Sequence, residues 1–308
     1  MNNRIAVMDL GTNTFHLLIV DADGPGYKEI VHEQQPVKLG EGGINKGFIQ
    51  AEAFERGVKC MQRYAGLITE NRAQRARAIA TSALRNAANG QDFINEVAQR
   101  TGIRIEIISG EDEAAYIYKG VRAGKGLSAK NILIVDIGGG SVEFIICNEA
   151  GIKWKQSFEI GAARLMDKFH REDPITPDSV KALENYLAEI LQPLFAAISH
   201  YPVENIIGSS GVFESYAAVV HTRSGSDFDL KKMRYFEFNK QELLAVIETL
   251  IHSTHHERKA NRDIIPVRVD MIVTASLLTR FIIKKTGVPG IAMSASSLKE
   301  GVLAEMAG

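Results

Sequence analysis

The chain has 308 residues, enough for two domains, with 45% hydrophobic and 24% charged residues, the balance of an ordinary soluble globular protein. A formal net charge of −1 gives no reason to expect nucleic acid or an anionic membrane as partner, and Arg258, Lys259 and Arg262 are the nearest thing to a basic cluster. No apolar stretch approaches the ~20 residues that span a bilayer.

Met1-Asn2-Asn3-Arg4 leads directly into a strand-like segment with no signal-peptide pattern. Cys60 and Cys147 fit no CxxC spacing, so both read as reduced packing residues of a cytoplasmic protein. Short apolar runs at Arg4–Met8 and Phe15–Asp21 predict two strands, with Gly24-Pro25-Gly26 turning the chain after the second. Phe54, Val58, Met61, Ala65 and Ile68 give Ala51–Asn71 a helical spacing. Arg77–Thr81 and Ile103–Ser109 read as strands, and Asp92–Arg100 and Glu111–Arg122 as helices.

Ala123-Gly124-Lys125-Gly126-Leu127-Ser128 is a polar, glycine-rich link, after which the pattern restarts. Asn131–Val135 and Val142–Asn148 read as strands, with Ala150-Gly151 as the turn after them. Helices follow at Pro177–Ser199, Phe213–Val220, Gln241–His252, Val269–Thr286 and Leu298–Met306, with strands at Glu204–Ile207 and Gly290–Met293. Alternating strands and helices argue for an α/β fold. The restart argues for a duplicated unit: an N-terminal lobe at 1–124 and a C-terminal lobe at 125–308. The last helix, 296–308, is a candidate to pack back on the first lobe.

Each half opens with strand, Asp-x-Gly turn, strand: DLGTNTFHLLIV at 9–20 and DIGGGSVEFII at 136–146. Gly138-Gly139-Gly140-Ser141 can adopt positive φ and bring backbone N–H groups close to a ligand. Thr12-Asn13-Thr14 offers the same from the other half. A third loop, Gly208-Ser209-Ser210-Gly211, lies between a strand and a helix, where the helix N-terminus favours phosphate. Any one such loop could be only a tight turn. Three in one chain, two of them preceded by Asp9 and Asp136, point to phosphate with Mg2+ held by the acids.

Ser109 and Asp112 form a variant capping box, which accounts for Glu111 and Asp112 as helix-start acids. It accounts less well for Glu113, one residue deeper. Glu143 alternates with Val142 and Phe144 two residues past Ser141. A carboxylate beside a phosphate loop repels the ligand unless it handles water, so both are candidate catalytic groups. Arg85 reads either as a bidentate phosphate contact or as a solvated helix residue. His252, His255 and His256 lack a matching acid or cysteine cluster and read as a solvated helix end.

With these motifs in place, the chain resembles the exopolyphosphatase / guanosine pentaphosphate phosphohydrolase family of the actin-like, sugar-kinase and heat-shock-chaperone ATPase superfamily. The resemblance rests on DLGTNTFHLLI (9–19), VKLGEGG (37–43), ATSALRNA (80–87), ISGEDEA (108–114), DIGGGSVEF (136–144), IGAARL (160–165), GSSG (208–211) and SLKEGVL (297–303). It implies two ribonuclease-H-like lobes around a cleft. It also implies Mg2+-dependent release of the terminal phosphate of inorganic polyphosphate, or of the 5′ γ-phosphate of guanosine pentaphosphate. By resemblance Glu113 aligns water, Glu143 is a second essential carboxylate, Asp136 helps hold Mg2+ and Arg85 contacts phosphate. Dimerisation is common in the family, so a homodimer is a candidate assembly. Three departures bear on substrate contacts. Val212 stands where Thr is frequent, Lys299 where Arg is usual, and Met-Ile-Val-Thr-Ala follows Arg268 and Asp270 where Pro-Gly is common. Two other readings use the same loops: an ATP-dependent kinase for a small molecule, and a non-catalytic sensor of guanosine tetra- or pentaphosphate.

Overall fold

Residues that are apolar on both sides of a strand need cover on both faces of their sheet, and the first two strands meet that condition. A computed structural model describes residues 3–22, 26–124, 127–226, 228–230 and 232–307. In it Arg4–Leu10 (β1) and Phe15–Asp21 (β2) are buried almost throughout. Parts of the expected link at 123–128 and of the turn at 24–26 lie outside the described residues.

Lys28–Gln35 (β3) continues the antiparallel hairpin. Then come the helix Ala51–Glu70 (α1), the strand Arg75–Ala80 (β4), the short helix Ser82–Arg85 (α2) and the helix Gly90–Thr101 (α3). The strand Ile105–Ile107 (β5) and the helix Gly110–Ala123 (α4) close the first unit. Its sheet runs β3-β2-β1-β4-β5, with β4 parallel to β1 and β5 parallel to β4.

The second unit repeats this order. Ile132–Ile137 (β6), Val142–Asn148 (β7) and Gly151–Phe158 (β8) form the hairpins. The helices Ala162–Phe169 (α5), Pro177–Ile190 (α6) and Gln192–His200 (α7) lead to Asn205–Ser209 (β9) and Gly211–Arg223 (α8). Tyr235–Phe238 (β10), Lys240–His252 (α9), His255–Ala260 (α10), Ile272–Thr286 (α11), Gly290–Ser294 (β11) and Leu298–Ala307 (α12) complete it. Its sheet runs β8-β7-β6-β9-β11, with β10 added antiparallel at the edge. Both sheets therefore follow the order third, second, first, fourth, fifth, and the chain is a duplicated two-lobed α/β unit.

The two lobes share a core. One cluster lies between the first sheet and α1 and α3, and a second between the other sheet and its helices. A third joins Ile5 and Val7 of β1 to Ile132 and Ile134 of β6 through Ile117 of α4 and Val302 of α12. The C-terminal helix thus packs against α4 and β1. Its approach is close: a Cβ on Gly301 would stand 1.9 Å from the Tyr116 carbonyl oxygen, and one on Gly120 2.1 Å from that of Ser297.

Two boundaries differ from the sequence reading for identifiable reasons. The single helix expected over Pro177–Ser199 is two, broken at Leu191, because Pro193 supplies no amide hydrogen and starts a new helix instead. The helix expected from Val269 begins at Ile272, after a 3-10 turn at Pro266–Arg268.

Candidate active site

The paired Asp-x-Gly motifs become paired hairpin turns. Asp9 lies opposite His16 in the β1–β2 ladder, and Asp136 lies opposite Glu143 in the β6–β7 ladder. The turns close alike, Gly11 N donating to the Thr14 carbonyl at 3.1 Å and Gly138 N to the Ser141 carbonyl at 3.0 Å. The sequence reading gave Gly138–Gly140 to positive φ, but none of the three adopts it. Space is the reason for glycine instead. A Cβ on Gly139 would stand 2.1 Å from Asn13 Nδ2, and one on Gly140 2.5 Å from Ser82 Oγ and 2.6 Å from Thr12 Oγ1. The two turns meet across the lobes with no room for a side chain.

The third loop carries the positive φ. Ser210 sits at φ 105° as the residue before α8, a strained conformation for a non-glycine residue. Its hydroxyl accepts from the Ile137 amide at 3.3 Å. Arg268 lies against Gly211 and donates to Glu214 at 2.9 Å and Ser215 at 3.0 Å.

A cavity of about 190 Å3 lies between these turns. Asp9, Thr12, Asn13, Glu113, Asp136, Gly138, Gly139, Gly140, Ser141, Ser210 and Gly211 all line it. Four expected site residues do not. Gly208 and Ser209 end β9, and Ser209 is fully buried with its hydroxyl on the Ser296 carbonyl. Glu143 lies behind the wall, 1% exposed, and accepts from Ser157 Oγ at 2.7 Å. Arg85 also lies off the wall. Its Nη1 donates to Glu113 at 3.0 Å and to the Ile108 carbonyl at 3.1 Å, and its Nη2 donates to Glu159 at 3.2 Å.

The helix start that carries Glu113 works as its motif suggests. Ser109 Oγ caps α4 by accepting from the Asp112 amide at 3.0 Å. Glu111 and Asp112 stay exposed, while Glu113 turns inward and is 8% exposed. Burial pushes its carboxyl up to about 8, against the pull of Arg85. Burial also pushes Asp136 up to about 6 and Asp9 to about 7, with Lys299 opposing both. Glu143 is raised well above the usual carboxylate range by burial and by the charges of Glu113 and Asp136. Four carboxyls so close together, poor in charge when empty, make a site that a divalent cation would relieve.

Asp9 and Asp136 suit Mg2+ in particular. This ion keeps several waters and takes one or two carboxylates, so it needs no larger protein cage. Among the described residues no group of three or more His, Cys, Asp or Glu side chains forms such a cage. The histidines set aside in the sequence form none either. His255 faces Asp270 at 3.2 Å and His252 faces Glu248 at 3.8 Å.

All three departures reach the cavity wall, the third through Met271. Val212 presents an apolar side chain in the first turn of α8. Lys299 is buried, yet Glu300, Glu214 and Asp9 outweigh that burial and keep its ammonium charged. Sequence reasoning missed His16, Ser82, Glu159, Arg164 and Glu214. His16 lines the cavity, is held neutral by burial, and has no hydrogen-bond partner at Nδ1 among the described residues. Its place opposite Asp9, matching Glu143 opposite Asp136, could have been read from the aligned motifs.

Two lobes of one strand order, closed on a cleft lined by their first turns and by buried carboxyls, define a duplicated two-lobed α/β fold with its site between the lobes. The chain belongs to the Ppx/GppA phosphatase family, whose sequence pattern matches residues 18–308. It is 28% identical over 319 residues to exopolyphosphatase 2 of Mycobacterium tuberculosis, covering 99% of both chains. It is 24% identical to the guanosine-5′-triphosphate,3′-diphosphate pyrophosphatase of Photobacterium profundum, spanning 98% of this chain but 59% of that one. Among solved structures, an exopolyphosphatase from Cytophaga hutchinsonii superposes with a TM-score of 0.96 at 38% identity, covering 99% of this chain and 97% of that one.

Proposed function

We propose that the chain is an exopolyphosphatase that removes the terminal phosphate of inorganic polyphosphate by attack of a water aligned by Glu113. The observation that carries this reading is Glu113 itself: a buried carboxyl on the cleft wall, raised to about 8 and fixed by Arg85, beside the turns that line the cleft. The likeness in length adds support. Two relatives matched over nearly their whole length, from Mycobacterium tuberculosis and Cytophaga hutchinsonii, are named exopolyphosphatases, whereas the guanosine pyrophosphatase extends well beyond the match.

In this reading Thr12, Asn13, Gly138–Ser141, Ser210 and Gly211 hold the terminal phosphoryl group through amides and hydroxyls. Gly208 and Ser209 shape the third loop from behind. Asp9 and Asp136 would hold Mg2+, whose charge offsets that of the phosphoryl oxygens. With a bound cation's charge lowering its raised carboxyl, Glu113 would be ionised and accept a proton from the water, and Glu143 sets the charge that Glu113 feels. Phosphoryl transfer depends mainly on position and electrostatics, which these rigid turns supply. Two buried thiols, Cys60 and Cys147, fit a cytoplasmic enzyme. No described helix is long and apolar enough to cross a membrane.

The test is phosphate release with Mg2+, supplying long-chain polyphosphate and guanosine pentaphosphate separately. Faster release from polyphosphate is expected. Faster release from guanosine pentaphosphate would reassign the substrate, and tight nucleotide binding with no release would favour the sensor reading. Phosphorylation of a small molecule by ATP, with no release from either substrate, would favour a kinase.

A further inference from the structure

The residues between the lobes form one connected network around Glu159, on the segment joining β8 to α5. The Glu159 carboxylate accepts from Ser82 Oγ at 2.6 Å and Arg85 Nη2 at 3.2 Å, both on the first lobe. It also accepts from Arg164 Nη2 at 3.0 Å on its own lobe. Arg164 reaches further, donating to the Gly140 carbonyl at 2.8 Å and across the lobes to the Ile44 carbonyl at 2.6 Å. Asn45 returns the contact by donating to Asp167 at 2.8 Å.

Arg85 therefore stands between two carboxylates, Glu113 on one side and Glu159 on the other. A guanidinium with both ends engaged has its plane and its reach fixed. These contacts keep it on the protein side of the cavity wall. Three cationic or hydroxyl donors converge on Glu159, and burial notwithstanding they hold its carboxyl below the usual range, so it stays charged.

We infer that Glu159 is a positioning residue for the reaction. It holds Arg85 from the opposite lobe so that Arg85 presents the Glu113 carboxylate to the attacking water. The inference rests on the reading of Glu113 as the water-aligning group. Glu159 touches neither substrate nor metal in this account; it acts through Arg85. With Arg164 it also ties the two lobes together beside the Gly140 turn. The cleft thereby gains its working geometry only when the lobes are together, since Glu113 and Arg85 belong to one and Glu159 to the other.

A double-mutant cycle tests this with Glu159→Gln, Arg85→Ala and the pair, measured as steady-state phosphate release from the better of the two substrates. Glu159→Gln keeps the shape and the exposed half of the side chain, so a folded protein is expected, checked by its thermal melt. The expected result is a fall in kcat of about tenfold with KM nearly unchanged, and no further fall when Glu159→Gln is added to Arg85→Ala. Multiplying effects would overturn the inference, because Glu159 would then act by a route other than Arg85. A lower KM with unchanged kcat would also overturn it, since Arg85 would then be a phosphate ligand that Glu159 masks. Unchanged kcat and KM in Glu159→Gln would do the same. A Glu113→Gln control keeps the two readings apart. Full kcat in that variant would defeat the reading of Glu113 itself, whereas its loss beside a multiplying cycle would defeat only the role of Glu159.

Discussion

At the scale of single residues, the site is a problem of buried charge. Asp136 is 7% exposed and Asp9 lies opposite it across the cleft, each raised by burial and, for Asp9, by the charge of Asp136. In the proposed reading a cation held between them relieves that cost. Asp136→Asn should therefore raise the Mg2+ concentration for half-maximal activity by roughly 10–100-fold while leaving the fold intact, measured by activity against titrated Mg2+. Unchanged Mg2+ dependence would place the ion elsewhere. The residues proposed for this chemistry could be picked out because each flanks a glycine turn or starts a helix. Glu113 stood out by exceeding what a capping box explains, and Glu143 by its place after Ser141. Glu159 and Arg164 were not legible. Their partners, Ser82, Arg85 and Ile44, are 74 to 120 residues away in sequence, and no local spacing reports a contact made between two lobes.

At the scale of elements, the close approach of the turns helps to set the site. Gly140→Ala would drive its Cβ into Ser82 and Thr12, forcing the first-lobe turn away from the second. A loss of kcat/KM with little change in melting temperature is expected, since the turn is at the cleft and not in a core. The helix pair α4–α12 gives the opposite outcome. Gly301→Val would press on the Tyr116 backbone within the core shared by both lobes, costing about 1–3 kcal/mol and lowering the melting temperature by several degrees. A variant melting like the parent would show that α12 can move off α4. The buried strands β1, β2, β6 and β7 were plain in the sequence as apolar runs. The third strand of each sheet was not: KEIVHEQQ and GIKWKQSF lie at edges with one side open, so polar residues interrupt any run. The tetrapeptide YFEF of β10 was too short to register.

At the scale of the whole molecule, the raised carboxyls of the cleft couple stability to pH and, in the proposed reading, to metal. Asp9, Asp136 and Glu113 have folded-state values near 7, 6 and 8, all above the usual carboxylate range of an unfolded chain. For acids raised in this way, the stabilising effect is full at low pH and is lost as pH rises through the folded values. The metal-free protein should accordingly melt lower at pH 8.5 than at pH 5.5, and Mg2+ should lift the melting temperature more at the higher pH. An equal Mg2+ effect at both values would contradict the placement of the ion beside these carboxyls. The duplication itself was readable from the restart of the strand–turn–strand pattern. The last helix, 296–308, was already a candidate to pack back on the first lobe; what the restart could not reveal is that its contact with α4 joins the two halves through one core.

The claim on which the rest depends is that Glu113 activates the attacking water. The most direct measurement is kcat for phosphate release by Glu113→Gln beside the parent, with Mg2+ and saturating polyphosphate. Loss of a general base should lower kcat by roughly 10²–10⁴-fold while the substrate still binds. A variant that keeps the parent's kcat would contradict the account, and the water would have to be activated by another group on the cleft wall.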